Sequence, residues 1–285
     1  MAIPVHISAD STVDLSPELV ERFGITVLPM LVTLDGDTRL DGIEVVPQDL
    51  FAYTQKTGQL AKTAAQSSAY YIDRFRELTQ DGGAVIHFTI SASMSSAYNF
   101  ACLAAEEFEN VYVVDSMNLS TGIALLVLKA AEMAADGADA ETIVNTVNGL
   151  RTKVDASFVV DTLEFLHKGG RCSTIAMLGA NVLKLKPCIQ VKEGAMDVGK
   201  KYRGRMDAVL REYVADALHD PDDIDLSRIF VTHTCGDDPV VGEIVKLVRG
   251  TLPFREVLTT SAGCTVSAHC GPGTLGVLFI RKSDK

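Results

Sequence analysis

AVIHFTISASMSSAYNFACLAAEEFENVYVVDS, residues 84–116, is the stretch that decides the fold. Its opening run, Ala84 to Ile90, is apolar and β-prone without the alternation of a half-exposed strand. That is the pattern of a strand covered on both faces in a parallel sheet. A serine-rich loop from Ser91 to Ser96 then leads into a helix through Ala101 to Phe108, and VYVVDS gives the next strand, with Asp115 and Ser116 at its C-terminal end. Outward from this unit the same grammar repeats. IPVHISADST reads as a short strand ending in Asp10, Ser11 and Thr12, after which Ser16 and Pro17 supply an N-cap and first position for a helix that Gly24 stops. VLPMLVTLDG reads as a β-rich run closed by an Asp35-Gly36 turn, with a second turn signal at Asp41-Gly42, so a short strand or irregular hairpin is expected there. Between Ser67 and Thr79 the apolar positions Tyr71, Phe75 and Leu78 recur at helical spacing, and two helices cover roughly 121–151. Strand-then-helix alternation predicts a doubly wound α/β unit, whose ligands sit at the C-terminal ends of the strands.

Past residue 155 the texture changes. FVVDTLEFL, a glycine pair, PCIQVKEG, a helix near 205–218, RIFVTHT, a helix from Pro239 to Val248, FREVLTT and LGVLFIRK mix strands and helices without strict alternation. The expected organisation is therefore two α/β domains, 1–154 with a doubly wound parallel sheet and 155–285 with a mixed sheet and helices. No flexible linker separates them.

The 285 residues suffice for two cores, and the net charge of -11 disfavours nucleic acid and anionic lipid surfaces as partners. The N-terminal residues lack a basic stretch followed by an apolar run, and the most apolar helix candidate, Gly122 to Met133, is too short to span a bilayer, so a cytoplasmic protein without stable membrane insertion is expected. Six cysteines without a CxxC pair read as reduced thiols. Cys264, His269 and Cys270 lie close together, but no second pair at zinc spacing accompanies them, so no metal is expected.

Three polar segments of the first half fall at predicted strand ends: Asp10-Ser11-Thr12, Lys62-Thr63, and Ser91 to Ser96. Hydroxyls beside unpaired helix amides can bind an anion, although helix capping is their ordinary use. The second half offers His167-Lys168-Gly169-Gly170-Arg171 and His269-Cys270-Gly271-Pro272-Gly273. Glycine pairs let backbone approach a ligand and Arg or His can donate to an anion; a helix C-cap and a tight turn explain the same letters.

Taken together these segments resemble the DegV family, which includes the fatty-acid-binding subunits of bacterial fatty acid kinase. The likeness runs from residue 5 to 280: Asp10 to Thr12, LPMLV with its later DG, Lys62-Thr63, the serine pattern from Ser91 to Ala101, VVDS at 113–116, DTLEFLHKGGR at 161–171, KLKP at 184–187, Arg203, and HCGPG at 269–273. The resemblance implies a lipid tunnel between the two domains that holds one long-chain fatty acid, with Thr63, Ser95, Arg171 and His269 around its carboxylate. It implies that Arg203 faces an ATP-dependent kinase subunit, and that the chain itself is a substrate carrier, monomeric alone, with no cofactor. There is no GxxxxGK[ST] loop to suggest ATP binding. Two departures stand out. Ala64, Ala65, Gln66 and Ser67 follow Thr63 where the family commonly has Ser-Gln-Pro-Ser, and Ser96-Ala97 replaces a usual Gly-Thr, removing a glycine from the loop and one hydroxyl from the expected head-group region.

Two rivals stay open on sequence alone. One is a hydrolase with Ser95 as nucleophile, His269 as base and Asp10 or Asp115 as orienter, although no G-x-S-x-G elbow is present. The other is a binder of a different anionic amphiphile. Met177, Leu178, Leu183 and Met196 could line a tunnel or pack a core.

Overall fold

The computed structural model describes residues 3–172 and 185–284. Three of the candidate tunnel residues, Met177, Leu178 and Leu183, therefore lie outside the described residues.

In the first half the chain forms β1 (Val5–Asp10), α1 (Pro17–Phe23), β2 (Thr26–Leu28), β3 (Leu31–Leu34), β4 (Asp37–Leu40), α2 (Pro47–Thr57) and β5 (Lys62–Ala64). It continues through α3 (Ser68–Leu78), β6 (Ala84–Thr89), α4 (Ala97–Ala105), β7 (Val111–Asp115), α5 (Thr121–Ala135) and α6 (Ala140–Leu150). The second half adds β8 (Val154–Val159), α7 (Glu164–Gly169), β9 (Leu185–Lys192), β10 (Ala195–Arg203), α8 (Met206–Ala217), β11 (Ile224–His233), α9 (Pro239–Thr251), β12 (Glu256–Ser261), α10 (Cys264–Cys270) and β13 (Leu275–Arg281).

Four strands in the order β2-β1-β6-β7 make an all-parallel sheet. Strand β6 is buried along its whole length because both faces are covered. Val85 packs with Tyr71 and Phe75 of α3 and Ala101 of α4, while Ile86 and Phe88 pack against α5 on the opposite face. The second sheet has the order β10-β9-β8-β13-β11-β12 and is antiparallel except for the β11/β12 pair. The expected parallel and mixed sheets are both present. Among the described residues no helix is long and apolar enough to cross a membrane.

Helix α5 joins the two layers. Ten of its residues are buried, and it touches β1 and β6 on one side and β8, β11 and β13 on the other. A helix apolar all round has to be covered all round; here a sheet covers each side. Each fully buried Leu or Ile on it contributes roughly 1.5–3 kcal/mol of burial free energy. One apolar cluster runs from Ile7 and Phe88 through α5 to Phe158, Phe230 and Leu278, so the core is continuous across the expected 154/155 boundary, which falls at the first residues of β8.

Two local expectations need correcting. VLPMLVTLDG is two strands: β2 pairs with β1, whereas β3 enters a separate three-stranded sheet, β4-β3-β5. Pro29 has no amide to donate to a ladder, and the amide of Met30 is taken by Ser11 Oγ at 3.0 Å, so the ladder breaks between them. The Asp35-Gly36 turn does close a hairpin: both residues have positive φ, as a two-residue turn matched to strand twist requires. The Lys62-Thr63 segment, expected as a loop, is the edge strand β5, with Thr63 opposite Val32.

Candidate functional site

A cavity of about 560 Å³ opens where the parallel sheet, the small sheet and α10 meet. Its apolar wall comes from Met30, Ile90, Met94, Leu119, Met196 and Val266, and its polar wall from Thr63, the 93–96 serine loop, Arg171 and His269. All four residues expected around a carboxylate thus line one space, and so does Met196, the one candidate tunnel residue that is described.

Thr63 Oγ1 lies 2.9 Å from His269 Nε2. Burial, with the Arg171 guanidinium adding to it, holds the His269 imidazole down to about 4, so the ring is neutral at pH 7. Its other nitrogen, Nδ1, is buried without a partner. That side of the ring rests on Gly169, where an added Cβ would come within 2.4 Å of Nδ1. Of the two readings of the glycine pair, the helix cap holds for Gly170, the left-handed C-cap of α7, while Gly169 makes room for His269. The fit is reciprocal, since a Cβ on Gly271, just after α10, would meet the Phe165 ring of α7 at 2.5 Å. Arg171 is exposed and donates from Nη1 to the Gly169 carbonyl at 2.7 Å.

The serine loop is pinned from the second half of the chain. Ser91 Oγ donates to the Gly194 carbonyl, in the β9–β10 turn, at 2.6 Å. Ser95 Oγ lines the cavity, accepts the Ala97 amide at 3.2 Å and donates to no acceptor among the described residues. The two departures in this loop have little reach. Ser96 has φ -79°, ψ 0°, which any residue adopts, so no glycine is required; Ala97 is fully buried in the core and does not line the cavity.

Sequence reasoning missed α10 itself and the residues that hold it. Its N-cap is Gly263, which has no side chain to offer. Two buried aspartates from the first half stand in for one. Asp14 Oδ1 accepts the Gly263 amide at 2.8 Å, and Asp41 accepts the amides of Cys264 at 2.9 Å and Thr265 at 3.0 Å, together with Thr265 Oγ1 at 2.7 Å. Side-chain oxygens at a helix start satisfy unpaired amides, and an ionised one also complements the helix dipole. Asp41 had shown only as a turn signal, and Asp14 carried none. Burial raises Asp14 to about 8 against the opposing effects of its bonds from Ser120 and Gly263.

The Asp10-Ser11-Thr12 segment is structural. Asp10 accepts Tyr71 Oη at 2.8 Å and the Ile90 amide at 3.3 Å, and Ser11 donates to Asp41 at 3.0 Å; none of the three lines the cavity. The hydrolase arrangement is not assembled. His269 Nε2 meets Thr63, no carboxylate reaches Nδ1, Asp10 is held as described, and Asp115 accepts the amides of Ala92 and Met117. Among the described residues no group of three or more His, Cys, Asp or Glu could hold a metal. Cys270 beside the cavity is pushed up to about 12, by burial first and then by Asp14.

Arg203 ends β10, exposed, away from the cavity lining and without an ion pair among the described residues. Its basic neighbours are partly neutralised: Lys200 bonds Glu212 at 2.9 Å and Asp216 at 2.7 Å, and Arg205 pairs with Asp207.

A family model described as "Uncharacterised protein, DegV family" matches residues 4–282. A DegV domain-containing protein of Clostridium acetobutylicum is 30% identical over 282 residues, covering 98% of this chain and 99% of its own. Among solved structures, that titled "Fatty Acid Binding of a DegV family Protein from Thermus thermophilus" superposes with a TM-score of 0.91 at 30% identity, covering 98% of this chain and 100% of its own. The Bacillus subtilis structure, named DegV, a fatty acid binding protein, gives 0.86 at 26% identity over 99% and 100%. A stearic acid-binding protein of Eubacterium ventriosum gives 0.83 at 28% over 98% of each chain.

Proposed function

This chain belongs to the DegV family, and from that premise we propose that it is a carrier for one long-chain fatty acid, whose carboxylate it presents to an ATP-dependent kinase subunit. The observation that carries the proposal is the cavity: an apolar wall meets, at one side, the hydroxyls of Thr63 and Ser95. A sixteen-carbon tail moved into it gains roughly 0.8 kcal/mol per methylene, about 11 kcal/mol gross before ordering costs. The carboxylate must then be satisfied or it will take up a proton.

The neutral His269 decides how. A buried N–H with no acceptor is rarer and costlier than a bare lone pair, so the ring proton sits on Nε2 and is donated to Thr63. Thr63 then turns its own O–H into the cavity, beside that of Ser95. Two neutral donors hold the carboxylate without quenching its charge, and Arg171 stands at the edge.

In the kinase step a carboxylate oxygen attacks the γ-phosphorus of ATP. The new O–P bond forms as the bond to the ADP oxygen breaks, leaving an acyl phosphate and ADP. Positioning and charge neutralisation dominate such transfers, and the partner with its magnesium supplies the latter. In this proposal Arg203 docks that partner, the protein by itself is a cytoplasmic monomer without a resident cofactor, and the chain divides functionally at 154/155 with the ligand between the halves. The test is mass spectrometry of the organic extract of purified protein beside its native mass. A stoichiometric long-chain fatty acid is expected; a protein that is empty and cannot be loaded with one overturns the carrier assignment. Arg203→Ala should lower acyl phosphate production by a kinase partner while leaving lipid content unchanged.

A further inference from the structure

Three residues of the cavity wall have a second face. Thr63, Arg171 and His269 also line a separate open groove of about 530 Å³, bounded by the 58–62 segment on one side and by Lys168, Gly169 and Ala268 on the other. The charge of this groove runs against that of the whole protein. The chain carries a net -11, yet among the described residues the groove is lined by Lys62, Lys168 and Arg171 and by no carboxylate. Among the described residues Lys62 is exposed and forms no ion pair, and Arg171 donates from Nη1 to the Gly169 carbonyl; Lys168 meets Glu164 at 2.7 Å across an exposed helix surface. A surface pair of that kind is weak and yields readily to a stronger anion.

A bound carboxylate does not call for three cations, because it is a monoanion and the cavity already offers it the hydroxyls of Thr63 and Ser95. We propose that the groove is a phosphoryl-binding subsite, in which Lys62, Lys168 and Arg171 receive a phosphate dianion attached to, or adjoining, the ligand head group at the Thr63–His269 wall. The proposal rests on the fatty-acid assignment and extends it to the phosphorylated ligand: tail in the cavity, phosphate in the groove, and the shared wall at the junction. Phosphate oxygens are met there by two point charges and a planar guanidinium, a donor set suited to a dianion.

The test compares two ligands of equal tail, hexadecanoate and hexadecyl phosphate, by calorimetry at low salt on the full chain and on the double variant Lys62→Ala, Lys168→Ala. Both lysines are exposed, so the fold should survive, and a thermal melt checks this. Loss of about tenfold or more in hexadecyl phosphate affinity, with hexadecanoate kept within about twofold, is the expected result. If the lysines only complement the C-terminal end of α7 and the nearby surface, the two ligands respond alike, and equal losses or no loss overturn the groove. Failure of wild-type protein to bind hexadecanoate while it binds the phosphate overturns the fatty-acid assignment and leaves the groove standing. Inorganic phosphate as competitor separates the two sources of the group. Displacement of hexadecyl phosphate but not of hexadecanoate assigns the groove to free phosphate as well, and no displacement assigns it to a lipid-borne phosphate alone.

Discussion

Ser11 and Thr63 look alike in the sequence: each is a hydroxyl at the edge of a β-rich segment of the first half. The fold uses them in opposite ways. Ser11 donates to Asp41 and accepts the Met30 amide, so both its donor and an acceptor position are consumed inside the protein. Thr63 has a neutral histidine as neighbour, and by the tautomer argument it accepts one bond and keeps its proton. Ser95, likewise, accepts the Ala97 amide and keeps its own. What separates a structural hydroxyl from the proposed ligand-binding ones is therefore not residue type or the nearby strand end but whether its proton has already been claimed.

The strongest way to break this contrast is at the hub of the structural set. Asp41→Ala removes the acceptor of two α10 amides and the Thr265 and Ser11 hydroxyls, all in a buried place. It should destabilise the protein by about 4 kcal/mol in chemical denaturation, and the loss of a fixed α10 should abolish ligand binding with it. A mutant of wild-type stability would refute the capping role.

Asp14 sharpens the contrast through pH. Its carboxyl is raised in the folded protein to about 8 from an ordinary 3.8, so over that range the folded state holds a proton that the unfolded state has lost. Stability from this group is then full at low pH and declines as pH rises toward 8, at a slope of up to about 1.4 kcal/mol per pH unit. Melting curves between pH 5 and 8 should fall more steeply for wild type than for Asp14→Asn, and parallel curves would remove Asp14 from the explanation.

The smallest effects pit the two hydroxyls directly against each other. Ser11→Ala and Thr63→Val should each cost about 1 kcal/mol, but in different currencies of measurement. Ser11→Ala should appear in the melting midpoint with fatty acid affinity intact, whereas Thr63→Val should weaken the affinity by roughly five- to tenfold. Thr63→Val binding as tightly as wild type would show that its proton is not offered to ligand.

Much of this architecture was legible because long elements carry their own signal. The β-prone run of β6, without alternation, announced a strand covered twice, and α3, α6, α8 and α9 lay where the sequence placed them. For α5 the all-round apolar surface implied burial, but nothing local could say that a second sheet, formed largely more than 20 residues later, would cover its other side. The gathering of Thr63, Ser95, Arg171 and His269 followed from family motifs, not from spacing. Two short elements escaped: β5 has three residues and α10 seven, too few for a period to show. Helix α10 was further hidden because a cap is read from the residue before the helix, and its caps lie elsewhere in the chain.

That separation has a consequence for how the protein comes to be made. The acceptors of α10 sit 249 and 223 residues upstream of the amides they bind. Emerging from a ribosome, Asp14 and Asp41 stay unmatched until synthesis has passed residues 263–265. The parallel sheet can assemble from near neighbours, but contacts of such sequence separation form late because the intervening chain must first be brought together. A nascent chain stalled short of residue 263 would have its first sheet and no histidine at the cavity, so the proposed lipid capture should begin only once His269 has emerged.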